Sequence, residues 1–167
     1  MKEVMNKEQI TRTLKRIAHE IIEQNNDLNN IVLMGILQKG LPIGEILRNN
    51  LKQFANIDVP LIGLDIKAFR DDKKTNEQIE KIDFDLNNKN IILVDDVLFT
   101  GRSVRAAMDA INYYGRPSKI ELAILVDRGH RELPIRADYI GKNIPTSKDE
   151  KIFVDTNNLT VYIVKMA

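Results

Sequence analysis

Asp95 and Asp96 are adjacent carboxylates, and Thr100-Gly101-Arg102-Ser103 follows them within the same short stretch. The two halves suit different parts of one ligand. Carboxylates repel phosphate, but they accept hydrogen bonds from a sugar diol and favour a divalent cation beside a pyrophosphate. The turn has the opposite preference. Gly101 lets the backbone approach an anion closely, Thr100 and Ser103 carry hydroxyl donors, and successive amides in such a turn form an anion-binding nest. A diol acceptor and a phosphate holder a few residues apart describe a ribose 5-phosphate. The plainer competing reading is a strand that ends in two solvated aspartates, with Thr100 as a helix N-cap.

These groups need a strand before them and a helix behind. Ile91 to Val94 has no polar interruption, as suits a strand buried on both faces of a parallel sheet. It would place Asp95 and Asp96 at its carboxyl end, where open α/β sheets bind ligands. Beyond the turn, Val104, Ala107, Met108 and Ile111 recur at helical spacing, so free N–H groups and a positive helix dipole point back at the strand end. Ile31 to Ile36 predicts a second buried strand, Leu37 to Gly40 a loop, and Ile43, Ile46, Leu47 and Leu51 a helix. Residues 61–69 alternate as a strand, and the polar run after Arg70 predicts a mobile loop. Lys119 to Asp127 predicts another strand, residues 138–147 a short strand and turn, and 151–154 with 159–164 a closing hairpin. Alternating β and α signals predict an α/β fold: one domain over residues 1–167, a doubly wound, mainly parallel sheet with helices on both faces and a small hood.

Residues 7–24 open the chain as an amphipathic helix, with Ile10, Leu14, Ile17 and Ile21 on one face and Asn6 with Gln9 as a capping pair. Arg12, Lys15, Arg16 and His19 fall on the opposite face. That stripe reads either as a solvated surface balanced by Glu8 and Glu23, or as an RNA backbone contact in which His19 donates a hydrogen bond or stacks on a base.

Composition sets outer bounds. The 167 residues are 43% hydrophobic and 29% charged, ordinary for a globular protein. There is no cysteine, hence no disulfide or thiolate metal site. No segment approaches the roughly 20 apolar residues of a membrane span, and no signal-like run is seen, so a cytoplasmic location is the expectation. A net charge of +1 carries no global polyanion signature, so any nucleic acid must meet a local basic face.

Val94-Asp-Asp-Val-Leu-Phe-Thr-Gly101 resembles the phosphoribosyl pyrophosphate (PRPP) motif of type I phosphoribosyltransferases. The longer stretch through Arg102–Ala110, Gly115–Ser118 and Leu125–Lys148 is similar to the PyrR family. That resemblance implies a type I phosphoribosyltransferase fold and two roles. One is the conversion of uracil and PRPP to UMP and pyrophosphate, with Mg2+ bound with PRPP. The other is attenuation of the pyrimidine (pyr) operon, in which UMP or another uridine nucleotide promotes binding to leader mRNA and termination. No DNA or membrane partner is implied, and relatives that form dimers and tetramers imply a homo-oligomer. The implied ribose ligands are Asp95 and Asp96. The rest of the motif, Val97, Leu98, Phe99, Thr100, Gly101, Arg102 and Ser103, surrounds the 5′-phosphate. Gln38, Lys39 and Gly40 correspond to the pyrophosphate loop, and Arg70, at the start of a hood loop around residues 69–82, to a catalytic arginine near the pyrophosphate. Arg128 and Gly129 fall in the base-recognition segment. Arg16, His19, His130, Arg131 and Arg136 correspond to the RNA-binding set. Relatives commonly carry Thr-Arg-Gly where this chain has Gln38-Lys39-Gly40. Lysine neutralises charge without arginine's bidentate fork, so reduced turnover is the expectation. The alternative is a plain phosphoribosyltransferase of nucleobase salvage with no RNA role.

Overall fold

The computed structural model describes residues 1–71, 78, 79 and 81–166. In chain order its elements are β1 (Lys2–Met5), α1 (Lys7–Gln24), β2 (Ile31–Ile36), α2 (Gly40–Ala55), β3 (Leu61–Leu64), β4 (Asn90–Leu98), α3 (Arg102–Tyr114), β5 (Lys119–Asp127), β6 (Tyr139–Asn143), β7 (Glu150–Asp155) and β8 (Thr160–Lys165). Five strands form a sheet in the order β3-β2-β4-β5-β6, every neighbouring pair parallel. Ile91 to Val94 are wholly buried at its centre, which explains why β4 tolerates no polar residue there. Ile10, Leu14, Leu47 and Leu51 of α1 and α2 pack on one face of this sheet, and Val104, Ala107 and Ile111 of α3 pack on the other. The doubly wound architecture follows.

Strand order decides where a ligand fits. The chain lays β3 outside β2, then returns to place β4 on the other side of β2 and winds outward through β5 and β6. β2 and β4 are therefore the switch point, and the crevice at their carboxyl ends is the expected binding place.

Helix α1 begins as its sequence predicts. Asn6 Oδ1 accepts from Gln9 N–H and Gln9 Oε1 accepts from Asn6 N–H, both at 2.9 Å. Three elements differ from expectation. Strand β3 ends at Leu64 rather than near residue 69, because Asp65 Oδ1 accepts from Lys67 N–H at 3.0 Å and turns the chain into a 3-10 turn over Lys67–Phe69. Strand β4 runs on to Leu98, in register with β5 as far as Leu98 opposite Asp127, so Asp95 and Asp96 lie within the strand. Strand β1 was not anticipated. It pairs antiparallel with β8, which also pairs with β7, so a second, three-stranded sheet unites both ends of the described chain. Of the expected hood loop, Phe69 to Asp71 are described, whereas 72–77 and 80 lie outside the described residues. No helix in the described residues is long and apolar enough to cross a membrane.

Candidate active site

The switch point is closed by two glycines. A Cβ on Gly35 would lie 2.6 Å from Leu41 Cα, and one on Gly40 would lie 2.3 Å from Val94 O. Their absence lets α2 seat its first turn directly on β4 beside Asp95. The preceding loop, Leu37 to Lys39, includes a cis Leu37–Gln38 peptide. It brings main-chain groups to the same crevice.

Asp95 and Asp96 orient each other. Asp95 Oδ1 accepts from Asp96 N–H and Asp96 Oδ1 from Val97 N–H, each at 2.8 Å. Burial, reinforced by the Asp96 charge, pushes the Asp95 carboxyl well above the usual range, and Arg70 pulls it partly back. Past the strand end, Gly101 takes φ +94°, a left-handed conformation that suits glycine. Thr100 Oγ1 accepts from Arg102 N–H at 3.2 Å, and α3 starts with its first-turn amides facing the strand end. Loop 132–135 braces this turn: Glu132 and Leu133 donate N–H bonds to Thr100 O, and Ile135 lies against Gly101.

The resulting cleft has two lobes. One, of about 360 Å³, is lined by Arg70, Asp95, Val97 to Val104 and Glu132; the other, of about 270 Å³, by Ile36 to Lys39, Ile66, Lys67, Asp95 and Asp96. Arg70, Asp95 and Ser103 belong to both. The lobes thus adjoin at these residues, with a carboxylate pair between a helix N-terminus and a loop. Arg70 Nη1 donates to Ser103 Oγ at 2.8 Å, so the arginine already bridges toward the phosphate turn.

Two anticipated ligands point elsewhere. The Lys39 ammonium donates to Val154 O at 2.8 Å and sits 4.0 Å from the Phe153 ring centroid, tying the loop to β7. Its charge is thus held against β7. The Arg128 side chain is also turned inward, with Nε on Thr146 Oγ1 at 3.0 Å and Nη2 on Glu150 O at 2.5 Å. Gly129 N–H is taken by Asp127 Oδ1 at 3.0 Å. Arg102, expected at the phosphate turn, completes the rim with carboxylates the sequence reading did not assign: it donates to Asp71 at 2.9 Å and to Glu132 at 2.8 Å, and Arg105 also pairs with Asp71. Asp71 follows Arg70 directly and was within reach of sequence reasoning; nothing local marked Glu132.

The anticipated RNA-binding residues are spread over three places, and of them only Arg16 touches edge strand β6. Arg16 reaches it from the α1 face, donating to Gly141 O at 2.7 Å and Ile140 O at 3.1 Å and pairing with Glu20. His19 is exposed, but stacks on Phe54 at 4.3 Å. His130 and Arg131 follow the carboxyl end of β5, where His130 Nε2 contacts Thr146 O and Arg131 pairs with buried Asp127 at 2.9 Å. Arg136 is exposed on the α3 side, next to Met108 and Ile135. Arg16 and Arg136 therefore lie on opposite faces of the sheet.

Comparison with known proteins agrees with this geometry. The phosphoribosyl transferase domain family matches residues 1–158. The bifunctional protein PyrR of Streptococcus pneumoniae (strain CGSP14) is 52% identical over 158 residues, covering 95% of this chain and 91% of the relative. Among solved structures, a hypoxanthine-guanine phosphoribosyltransferase from Bacillus anthracis superposes with a TM-score of 0.76 at 20% identity, over 99% of this chain and 98% of that one. The hypoxanthine phosphoribosyltransferase of Trypanosoma cruzi gives 0.78 at 17% identity, over 100% and 98%. At such identity the purine enzymes report the fold alone. The match to PyrR runs through both lobes of the cleft and through the loop that braces them, and the chain belongs to the PyrR family of phosphoribosyl transferase domain proteins.

Proposed function

We propose that this chain transfers the phosphoribosyl group of PRPP to uracil and, with a uridine nucleotide bound, grips pyrimidine-operon leader mRNA to favour termination. The two adjoining lobes carry the first half of this reading: Asp95 and Asp96 lie between a helix N-terminus suited to an anion and the Leu37–Gly40 loop. In this assignment the α3 turn holds the 5′-phosphate, the aspartates accept from the ribose hydroxyls, and the Leu37–Gly40 main chain with Arg70 receives the pyrophosphate. Uracil N1 attacks C1 of the sugar as the bond to pyrophosphate breaks, and the N1 proton passes to the departing pyrophosphate or to water. The site contributes chiefly by holding these groups in line and by placing Arg70 where negative charge builds on the leaving group.

Among the described residues, no group of three or more His, Asp or Glu forms a metal cage. The Asp95–Asp96 pair instead fits a magnesium ion that arrives with PRPP, which needs one or two carboxylates and completes its shell with substrate oxygens and water. Once bound, the ion neutralises charge on the pyrophosphate.

Identity to a relative named bifunctional, together with the exposed Arg16, His19, Arg131 and Arg136, supports the regulatory half. Nucleotide in the cleft would favour the RNA-competent state, and RNA would tighten the nucleotide in return. A homo-oligomer fits this reading because a second copy would add a second set of these exposed basic residues. Two assays test the proposal. UMP formation from uracil and PRPP should be measurable, and filter binding of a leader hairpin should strengthen with UMP. Replacing Arg16 and Arg131 with alanine should lower the salt slope by about two, roughly 0.9 per phosphate contact. Absence of UMP formation would overturn the enzymatic half, and binding indifferent to UMP the regulatory half.

A further inference from the structure

Phe99 is an exposed aromatic ring, with 40% of its surface open, in the cleft lobe that also holds Asp95 and the Thr100–Ser103 turn. Its surroundings are specific. The Arg128 guanidinium carbon lies 3.9 Å from the ring centroid, over one face, and His130 meets it edge-on at 6.0 Å and 75°. Arg128 is only 6% exposed, yet no carboxylate pairs with it among the described residues. Its fork is spent on Thr146 Oγ1 at 3.0 Å, Ser147 O at 3.5 Å and Glu150 O at 2.5 Å. Its own N–H donates to Leu98 O at 3.1 Å, so the backbones carrying the two side chains are also joined. An arginine held at so many points does not swing out to a substrate.

We propose that Phe99 is the stacking platform for the acceptor base, and that Arg128 is a positioning residue that fixes this platform from behind. The proposal rests on the phosphoribosyltransferase reading of the cleft. An aromatic ring stacks on the flat face of a pyrimidine without needing its edge, leaving the edge groups for main-chain recognition. A cation on one face of a ring draws on its π density, so the other face prefers an electron-rich partner. Uracil becomes one as N1 loses its proton. Holding the ring by a planar, multiply bonded guanidinium also keeps it from following the base into a poorer geometry. Lysine cannot supply that clamp.

The test compares Phe99→Leu, Arg128→Lys and Arg128→Met with the wild-type protein, measuring KM for uracil, KM for PRPP, kcat and direct UMP binding. Phe99→Leu should raise KM for uracil and the UMP Kd at least about fivefold, the low end of a lost base–aromatic stack. KM for PRPP should stay within about twofold. Both Arg128 variants should shift the same two constants in the same direction, with Arg128→Lys failing to rescue despite keeping its charge. An unchanged uracil KM in Phe99→Leu, an equal rise in both KM values, or full rescue by lysine would overturn the proposal. Phe99 is partly exposed, so its variant remains informative if loss of buried Arg128 prevents folding. If the wild-type protein makes no UMP, the uracil reading has failed. Direct UMP binding then judges the platform separately: weakened binding in Phe99→Leu supports it, whereas equal or absent binding overturns it.

Discussion

Gly40→Ala should damage catalysis far more than stability. The added methyl would sit 2.3 Å from Val94 O, with Val94 C at 3.2 Å and Asp95 Cα at 3.3 Å. All three are backbone atoms, so no side chain can rotate away. Relief requires α2 and β4 to part by roughly an ångström in a close-packed interior. Overpacking of this kind costs about 1–3 kcal/mol, equivalent to about 3–10 °C in Tm for a domain of this size. The same displacement separates the Leu37–Gly40 main chain from Asp95. Misplacement by about an ångström commonly costs on the order of 100-fold in rate. The assay is kcat/KM for PRPP alongside a thermal melt, with far-UV circular dichroism to confirm folding. A Gly40→Ala protein with wild-type kcat/KM and unchanged Tm would refute the claim that this contact sets the site. A loss of rate no larger than the fraction of protein unfolded would refute it too.

Other perturbations separate the parts of the cleft. Asp95→Asn should lower kcat by at least about tenfold, the worth of a charge-assisted hydrogen bond. It should also raise Tm near neutrality. Because the folded Asp95 carboxyl titrates above its ordinary value, the stability tied to its neutral form is present in acid and lost as pH rises through the folded value. Wild-type and variant melts should therefore converge in acid and diverge toward pH 7, and a pH-independent difference would contradict that account. Lys39→Met should cost about 1 kcal/mol through the lost Val154 contact and lower kcat/KM for PRPP by less than about tenfold. A hundredfold loss would show that the ammonium leaves β7 to meet pyrophosphate. Asn6→Ala should remove the α1 capping box, lowering Tm by about 2–4 °C for about 1 kcal/mol with kcat unaltered, as a thermal melt and an initial-rate assay would show.

The parts of the site legible in the sequence are those built from neighbours. Strand β4, the Thr100–Ser103 turn and α3 are contiguous, so apolar run, glycine and helical spacing announce them in order. The α1 cap is equally local. What stayed hidden depends on partners far along the chain. Strand β1 is four residues with little alternation, and it exists because β8 supplies its hydrogen bonds. Helical periodicity placed Arg16 on the exposed face, where it lies, but could not foresee that two β6 carbonyls would hold its guanidinium. Lys39 suits pyrophosphate by its charge, whereas Arg128 with Gly129 is expected to meet the base edge through main-chain groups. Both side chains bind carbonyls of the β7 region, which no spacing rule reports.

The three-stranded sheet gives the protein a timetable. Lys2 pairs with Ile163, so β1 emerges from the ribosome long before its partner is synthesised, by about 8 to 30 seconds at about 5–20 residues per second. The parallel sheet can gather meanwhile, strand by strand. Met5, buried to 2% exposure, must wait for β8. Val154 pairs with Val161 of β8, so the carbonyl that anchors Lys39 also gains its sheet neighbour late in synthesis. A nascent chain arrested before residue 160 would carry Asp95, Asp96 and the phosphate turn while its pyrophosphate loop still lacked a settled tether.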